Sequence, residues 1–317
     1  MHMISADEVH RLLDYRSLVD ALRKAHCNPD FAAGEVMLPE PGEAATDRAF
    51  LALPAWRKNS LIGVKLVTVF PGNPAEQSRL PANQGVYVGF DASNGAPVLV
   101  ADGTALTLRK TAADTALGVD LLASAAAEDL LLIGAGALAP HLIEAVLAVR
   151  PSVRRIRIWN RNAAKAAALA AETRHDGVRV EAVEDLIEPQ RAADIIVSAT
   201  MSTAPLVQGR LLKPGCHVNL VGSWRPDMLE CDEETIRRAH IYTDSHSDCR
   251  QCGEFVQAVA SGAMTWSDIR ADLFALCAGQ VEARCPDGGI TLFKNAGGGQ
   301  LDLFAAEELL ARLRAKS

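Results

Sequence analysis

The residues with the clearest chemical potential form one turn, Gly134-Ala135-Gly136-Ala137-Leu138-Ala139, directly after the apolar run Leu130 to Ile133 and before a helical stretch. In a strand–turn–helix context, glycines at the first and third positions let the backbone turn tightly and approach a pyrophosphate. The diphosphate then faces the amides and positive dipole of a helix N-terminus. Ala139 takes the place of a third glycine and still permits close helix packing. Gly134, Gly136, Ala137 and Leu138 are therefore the expected cofactor-binding positions, and the cofactor expected is a nicotinamide dinucleotide. After the second strand, where an NAD enzyme commonly carries an acid for the ribose hydroxyls, stand Asn160 and Arg161. A carboxylate would repel a 2′-phosphate, whereas Arg161 can pair with one, so NADP(H) is preferred and NAD(H) remains possible. The same pair could also cap the helix starting near Ala163. Ala199-Thr200 and Gly222-Ser223 follow two further strands and are expected to line the nicotinamide pocket, because ligands of open α/β sheets bind outside the carboxyl ends of strands.

The surrounding elements must position this turn. Ser5-Ala6-Asp7-Glu8 has the form of a capping box, and Leu18, Val19, Leu22 and Ala25 recur at helical spacing. From Phe50 to Val100 the texture changes to short β-branched runs, with Asp91-Ala92-Ser93-Asn94-Gly95 as turn chemistry, which predicts an antiparallel sheet. An alanine-rich helix over Thr104 to Ala126 leads out of it. Strands at 130–133, 156–159, 178–182, 195–198, 216–221 and 241–243 then alternate with helices, the pattern of a doubly wound parallel sheet. The fold class is α/β. The tail from Ile290 to Leu313 reads as a strand, the run Gly297-Gly298-Gly299 and a last helix.

At 317 residues the chain is long enough for two lobes. A net charge of −7 offers no basic field for nucleic acid, and a small molecule is the expected partner. No apolar stretch reaches membrane-spanning length and no basic n-region opens the chain, so a soluble, cytoplasmic protein is expected, with no membrane partner. Seven scattered cysteines do not form a disulfide framework. Cys249-Arg250-Gln251-Cys252, near His246 and Asp248, has the spacing of half a zinc site, but no second such pair exists; free cysteines are expected and no metal. Neither a G-x-S-x-G elbow nor an H-E-x-x-H frame occurs, so hydrolase readings have no support.

The chain resembles the ornithine cyclodeaminase and mu-crystallin family, which also holds alanine dehydrogenases and ketimine reductases. The matching stretches are Gly63 to Pro74 (GVKLVTVFPGNP), Asp102 to Thr107 (DGTALT), Ile158 to Arg161 (IWNR), Gly222 to Asp227 (GSWRPD) and Thr291 to Lys294 (TLFK). The resemblance implies a Rossmann domain over 116–289, inserted in a smaller α+β substrate-binding and dimerisation domain made of 1–115 and 290–317, and a homodimer. It also implies that Lys65 faces the substrate. A lysine between Val64 and Leu66, mid-strand, is costly to place unless it has a task or a partner, although strand alternation also allows an exposed edge lysine.

Three positions depart from the family pattern. Glu35 stands where many members have a substrate-gripping arginine, Lys110 stands at the usual second arginine, and Trp224 replaces an aspartate of cyclodeaminases and alanine dehydrogenases. Lys110 can still pair with a carboxylate, without the bidentate fork, but Trp224 cannot exchange protons. Asp227 is left as a candidate carboxylate beside it. Asp302 falls where the family has an acidic residue, or equally serves a helix N-terminus. Amino-acid oxidation or cyclodeamination needs a base, whereas reduction of a preformed imine needs a bound carboxylate, a proton donor and NADPH. The sequence therefore points to reduction of a small cyclic imino acid, with Lys65, Lys110 and Asp227 as catalytic candidates. Ornithine cyclodeaminase with bound NAD and a non-catalytic NADPH-dependent binder of small ligands are the alternatives.

Overall fold

The computed structural model describes residues 1–42, 48–73, 80–283 and 288–315. The chain divides into two compact units, Met1–Thr111 with Gly298–Ser317, and Ala112–Gly297.

The first unit is built on a sheet in which β1 (His2–Ile4) is followed by α1 (Ala6–Leu12) and α2 (Tyr15–His26), then β2 (Phe31–Ala33), β3 (Val36–Pro39), β4 (Ala49–Arg57), β5 (Leu61–Val69), β6 (Asn83–Asp91) and β7 (Pro97–Asp102). Ser5 caps α1 through a complete capping box with Glu8, and Asp14 caps α2 by accepting from Ser17 N. The described strands run β1-β7-β6-β5-β4-β2, with β3 also on β4. The pairs from β4 to β7 are antiparallel and β1 joins β7 in parallel. Leu53, Lys65, Tyr87 and Ala101 stand directly opposite one another across β4 to β7, so their side chains share one face. From β7 the chain enters α3 (Gly103–Leu122), a helix that runs across the division between the units.

The second unit alternates β8 (Asp129–Ile133), α4 (Ala139–Val149), β9 (Arg155–Trp159), α5 (Ala163–Glu172), β10 (Arg179–Ala182), α6 (Ile187–Ala192), β11 (Ile195–Ser198), β12 (His217–Leu220), α7 (Glu233–Arg238), β13 (Ala239–Thr243), α8 (Gly253–Ser261), β14 (Ile269–Asp272), α9 (Leu273–Cys277) and β15 (Ile290–Lys294). Its sheet is parallel, in the order β10-β9-β8-β11-β12-β15-β13-β14. Strand order reverses between β8 and β11, the switch point at which ligands of such sheets bind. α10 (Gly299–Arg314) then returns to the first unit and lies against β4, β5 and α2.

The boundaries expected from sequence, 115/116 and 289/290, both move. Ile290–Lys294 is buried throughout between β12 and β13, so this tail strand belongs to the second unit, because an apolar strand covered on both faces is satisfied only inside a parallel sheet. The earlier division falls inside α3, where an unbroken helix carries no breaker to mark it. No helix among the described residues is long and apolar enough to cross a membrane. Pro74, the last residue of the motif at 63–74, lies outside the described residues.

Arg150 joins the end of α4 to the end of α3. Its Nη1 donates to Asp120 Oδ1 at 2.5 Å, and Nη2 donates to the carbonyls of Val119, Asp120 and Ala123 at 2.7–3.1 Å. These carbonyls lie at the C-terminal end of α3, where Val119 O also accepts from Ala123 N at 3.0 Å, and the guanidinium is buried among them. Arg150→Met is expected to lower unfolding stability by about 2–3 kcal/mol, read as an earlier urea midpoint. An unchanged midpoint would mean that water satisfies those carbonyls instead.

Candidate active site

At the switch point Gly134 adopts φ +115°, a conformation open to glycine, and a Cβ there would sit 2.6 Å from Ala199 O. Around Gly136 the opposite holds, since a Cβ would meet nothing within 4 Å. The backbone is therefore tight on its protein side and open on the other. Leu138 precedes α4 without any side-chain cap and a proline occupies the first turn, leaving first-turn amides to be satisfied by a ligand or water. Gly134, Gly136, Ala137 and Leu138 fit a dinucleotide diphosphate on these grounds.

Asn160 bears directly on this turn: its Oδ1 accepts from Ala135 N at 3.2 Å while its Nδ2 donates to Asn162 O at 3.0 Å. The helix cap that Asn160-Arg161 could have supplied is made by Asn162 instead, which accepts from Ala164 N. A residue one position later has the extended backbone that an N-cap needs. Arg161 is exposed and forms no ion pair among the described residues.

The two loops expected beside the nicotinamide are locked to one buried carboxylate. Glu230 Oε1 accepts from Ser198 Oγ at 2.6 Å, Thr200 N at 2.7 Å and Thr200 Oγ1 at 3.0 Å, and Oε2 accepts from Gly222 N at 2.7 Å. Gly222 is pressed against its neighbour: a Cβ would fall 1.8 Å from Thr200 O. Ser223 is buried at φ +47°, with Oγ 2.5 Å from Glu254 Oε2. Lys294 Nζ donates to Gly222 O at 2.7 Å and lies 3.5 Å from Glu254 Oε2, both side chains being inaccessible to solvent. Thr200, Gly222 and Ser223 are thus tied together through Glu230 and Glu254, acids that sequence reasoning had not singled out. A lone glutamate in Met228-Leu229-Glu230-Cys231 shows no spacing that would mark it.

In the first unit Lys65 is buried and its Nζ lies 2.7 Å from Asp302 Oδ2 on α10. Asp302 is thus the partner that the mid-strand lysine required, and the edge-lysine alternative does not hold. Burial pushes the Lys65 pKa down; Asp302 opposes this and Lys110 adds to it. Lys110 is buried too and makes no ion pair among the described residues. Tyr87 stacks into the same region, its hydroxyl without a partner and held well above its ordinary pKa by burial and by Asp302. Two buried lysines thus lie near each other, and one of them is paired with a carboxylate.

Asp227 does not join either cluster. It is exposed and accepts from Arg225 Nε and Nη2 at 2.9 Å, a bidentate pair that holds its pKa below the usual carboxylate value. A carboxylate so held is a poor proton donor near neutrality, and the structure withdraws the argument for it as a catalytic residue. Trp224 is half exposed, with the Arg225 guanidinium 5.4 Å from its ring centre, and Glu35 is exposed at the start of β3. Cys249 and Cys252 are buried, and burial pushes their thiols up to about 11 and about 12. Among the described residues no group of three His, Cys, Asp or Glu side chains could hold a metal.

A doubly wound sheet with a glycine turn at its switch point, and a separate sheet carrying a buried lysine, define a two-unit nicotinamide-dinucleotide enzyme. The model of the ornithine cyclodeaminase/mu-crystallin family matches residues 2–317, and the chain belongs to that family. It is 36% identical over 306 residues to Delta(1)-pyrroline-2-carboxylate reductase of Paracoccus denitrificans, covering 96% of this chain and 94% of that protein. It is 34% identical over 313 residues to ketimine reductase mu-crystallin of Mus musculus, covering 96% and 95%. The structure of Thermococcus litoralis Delta(1)-pyrroline-2-carboxylate reductase with NADH and L-proline superposes with a TM-score of 0.92 at 24% identity, over 100% of this chain and 98% of that one, which shows the fold. The chain is an NAD(P)-dependent imino- or amino-acid oxidoreductase or cyclodeaminase, and imine reduction is the activity its relatives support.

Removing the Asp302 charge isolates Lys65. Asp302→Asn is expected to cost about 3–5 kcal/mol of unfolding stability at neutral pH, measured by urea titration. The folded-state pKa of Lys65 is already below that of the unfolded chain, so its contribution rises with pH between the two values, and in the variant this window opens at lower pH. The deficit should therefore shrink towards alkaline pH. A deficit that stays constant would show that the two groups are not a charge pair.

Proposed function

We propose that this protein reduces a small cyclic α-imino acid, of the pyrroline- or piperideine-carboxylate class, with NADPH as the preferred cofactor. The observation that carries this reading is a buried Lys65–Asp302 pair with a second buried lysine near it: Lys110, without an anionic partner, is suited to a substrate carboxylate. A bound nicotinamide supplies the hydride. Lys65 supplies the proton at the imine nitrogen as hydride adds to the imine carbon, and its burial, which loosens that proton, suits the task. Asp302 keeps the ammonium form available. Trp224 offers no base for oxidising an amine, which favours reduction over cyclodeamination. The curated relatives named as pyrroline-2-carboxylate and ketimine reductases support the same reading.

For the cofactor, the lack of an acid at Asn160 and the exposed, unpaired Arg161 favour the 2′-phosphate. A homodimer is proposed through β3, an edge strand on β4. Val36, Met37 and Leu38 are 50%, 50% and 55% exposed there, with no charged residue among them to guard the edge. A second copy of the chain is the occupant that such an unguarded edge suits.

Decay of NADPH absorbance on adding pyrroline-2-carboxylate or piperideine-2-carboxylate is expected, with no ammonia released from ornithine. Lys65→Ala should lower kcat by about 100-fold or more and change the NADPH Kd by no more than about twofold. Arg161→Ala should weaken NADPH by about tenfold and leave NADH nearly unchanged. Ornithine consumption with both imino acids untouched would overturn the reductase reading, and silence in both assays would leave a ligand binder. Sedimentation at micromolar concentration should give a dimer; a monomer there would overturn the β3 interface.

A further inference from the structure

Glu230 is a heavily committed buried carboxylate in the second unit, and it ties two loops together. Besides two hydroxyls, it takes the backbone amides of Thr200 and Gly222, which belong to the loops leaving β11 and β12. Those loops are in hard contact with each other at Gly222 and with the dinucleotide turn at Gly134, where Ala199 O and Thr200 Cγ2 close off any side chain. A shift of Thr200 would therefore reach both glycines. No other described side chain touches both loop amides.

Four donors converge on two oxygens, an arrangement suited to the ionised form, which only accepts. Protonation turns one oxygen into a donor and leaves at least one of the loop amides or hydroxyls without its acceptor. The charged groups packed around it are Lys294 from β15 and Glu254 from α8; Cys231, next in the chain, and Cys252, at the start of α8, are thiols that burial keeps neutral. Glu254 accepts from the Glu230 amide at 2.9 Å, so it braces the same segment. Burial pushes the Glu230 carboxyl up to about 7, with Lys294 opposing the shift and Glu254 reinforcing it.

We propose that Glu230 is a positioning residue for the dinucleotide: its ionised carboxylate holds 199–200 and 222–223 in the shape that receives the nicotinamide end, and its protonation releases them, so cofactor affinity falls as the pH drops through neutrality. The inference rests on the reading that these loops line the nicotinamide site. The linkage for folding has the opposite sign. Because the folded-state value lies above the 4.5 of an ordinary glutamate, this group's contribution to stability is fully present at pH below that value and is lost as the pH rises to about 7. Global destabilisation by acid at this residue therefore does not account for a loss of cofactor at lower pH.

The test is the Kd of NADH and of NADPH, by cofactor fluorescence, from about pH 6 to about pH 8.5 for the wild type, Glu230→Gln and Glu230→Asp. NADH is included because it lacks the 2′-phosphate, whose second ionisation, near pH 6, would add its own pH dependence. For the wild type the NADH Kd should rise about tenfold towards the acidic end, while Glu230→Gln should bind weakly at every pH with a flat profile. Glu230→Asp should keep a pH-dependent profile. Folded Glu230→Gln, checked by circular dichroism and melting, with wild-type affinity and a wild-type profile would overturn the proposal. If that variant does not fold, a flat wild-type NADH profile overturns it by itself. Failure of the wild type to bind either cofactor at the alkaline end would overturn the site assignment along with it, whereas binding there without any effect of Glu230 removes only the latch.

Discussion

An ammonium group buried beneath a sheet needs a carboxylate within reach, and in this chain the nearest one comes from the far end of the sequence. Lys65 sits mid-strand in β5 with Tyr87 beside it, and Asp302 on α10 lies 2.7 Å away. That pair explains why the chain must come back to its first unit after completing the second. It also explains the shape of the packing at this point. Gly63, one side-chain row from Lys65, has no room for a Cβ because the Tyr87 hydroxyl would be 1.9 Å from it. The return is reinforced by Arg57, which donates to Glu307 of the same helix at 2.9 Å and lies over the Phe304 ring. The chemistry proposed for Lys65 uses the same pair: the acid that makes burial tolerable also keeps a transferable proton on the amine.

The second unit solves a related problem in a different way. Its parallel sheet covers apolar strands on both faces, and one set of buried charged groups gathers beside the carboxyl ends of β11, β12 and β15. There Glu230, Glu254 and Lys294 are buried together and satisfied by backbone as much as by one another. Buried charges of this kind are a poor source of stability, and their partners here are loop amides. The glycine turn after β8 is the proposed phosphate cradle, and the acid network sets the two loops next to it.

Much of this was legible in the sequence because local chemistry dictated it. The capping box at Ser5 and the turn at Gly134 depend on residues adjacent in the chain, and both form as the spacing predicts. The parallel sheet followed from the alternation of apolar runs with helices. What stayed hidden was set by distance in sequence. β1, β2 and β3 are three or four residues long, too short to show a period, and exist because β7 and β4 offer them a ladder. Asn160 suggested a cap or a ribose contact, yet its carbonyl serves Ala135 in the neighbouring turn, which no pattern along the strand reveals. Asp227 looked available as a carboxylate until Arg225, two residues before it, was seen to occupy it. Glu230 carried no signal at all, since its partners lie on three segments separated from it by intervening turns and strands.

The return of α10 has a further consequence for how the protein is made. Chains emerge from the ribosome from the N-terminus onward, and domains usually fold as units as they appear. Here the first sheet is synthesised before the second unit, but the helix that covers it, with the acid that neutralises its lysine, follows only after that unit. The second unit holds all its strands within 112–297 and can close while the first still shows β4 and β5 uncovered. During synthesis the earlier unit is therefore the more exposed one, and it depends on whatever shields nascent apolar surface until α10 arrives.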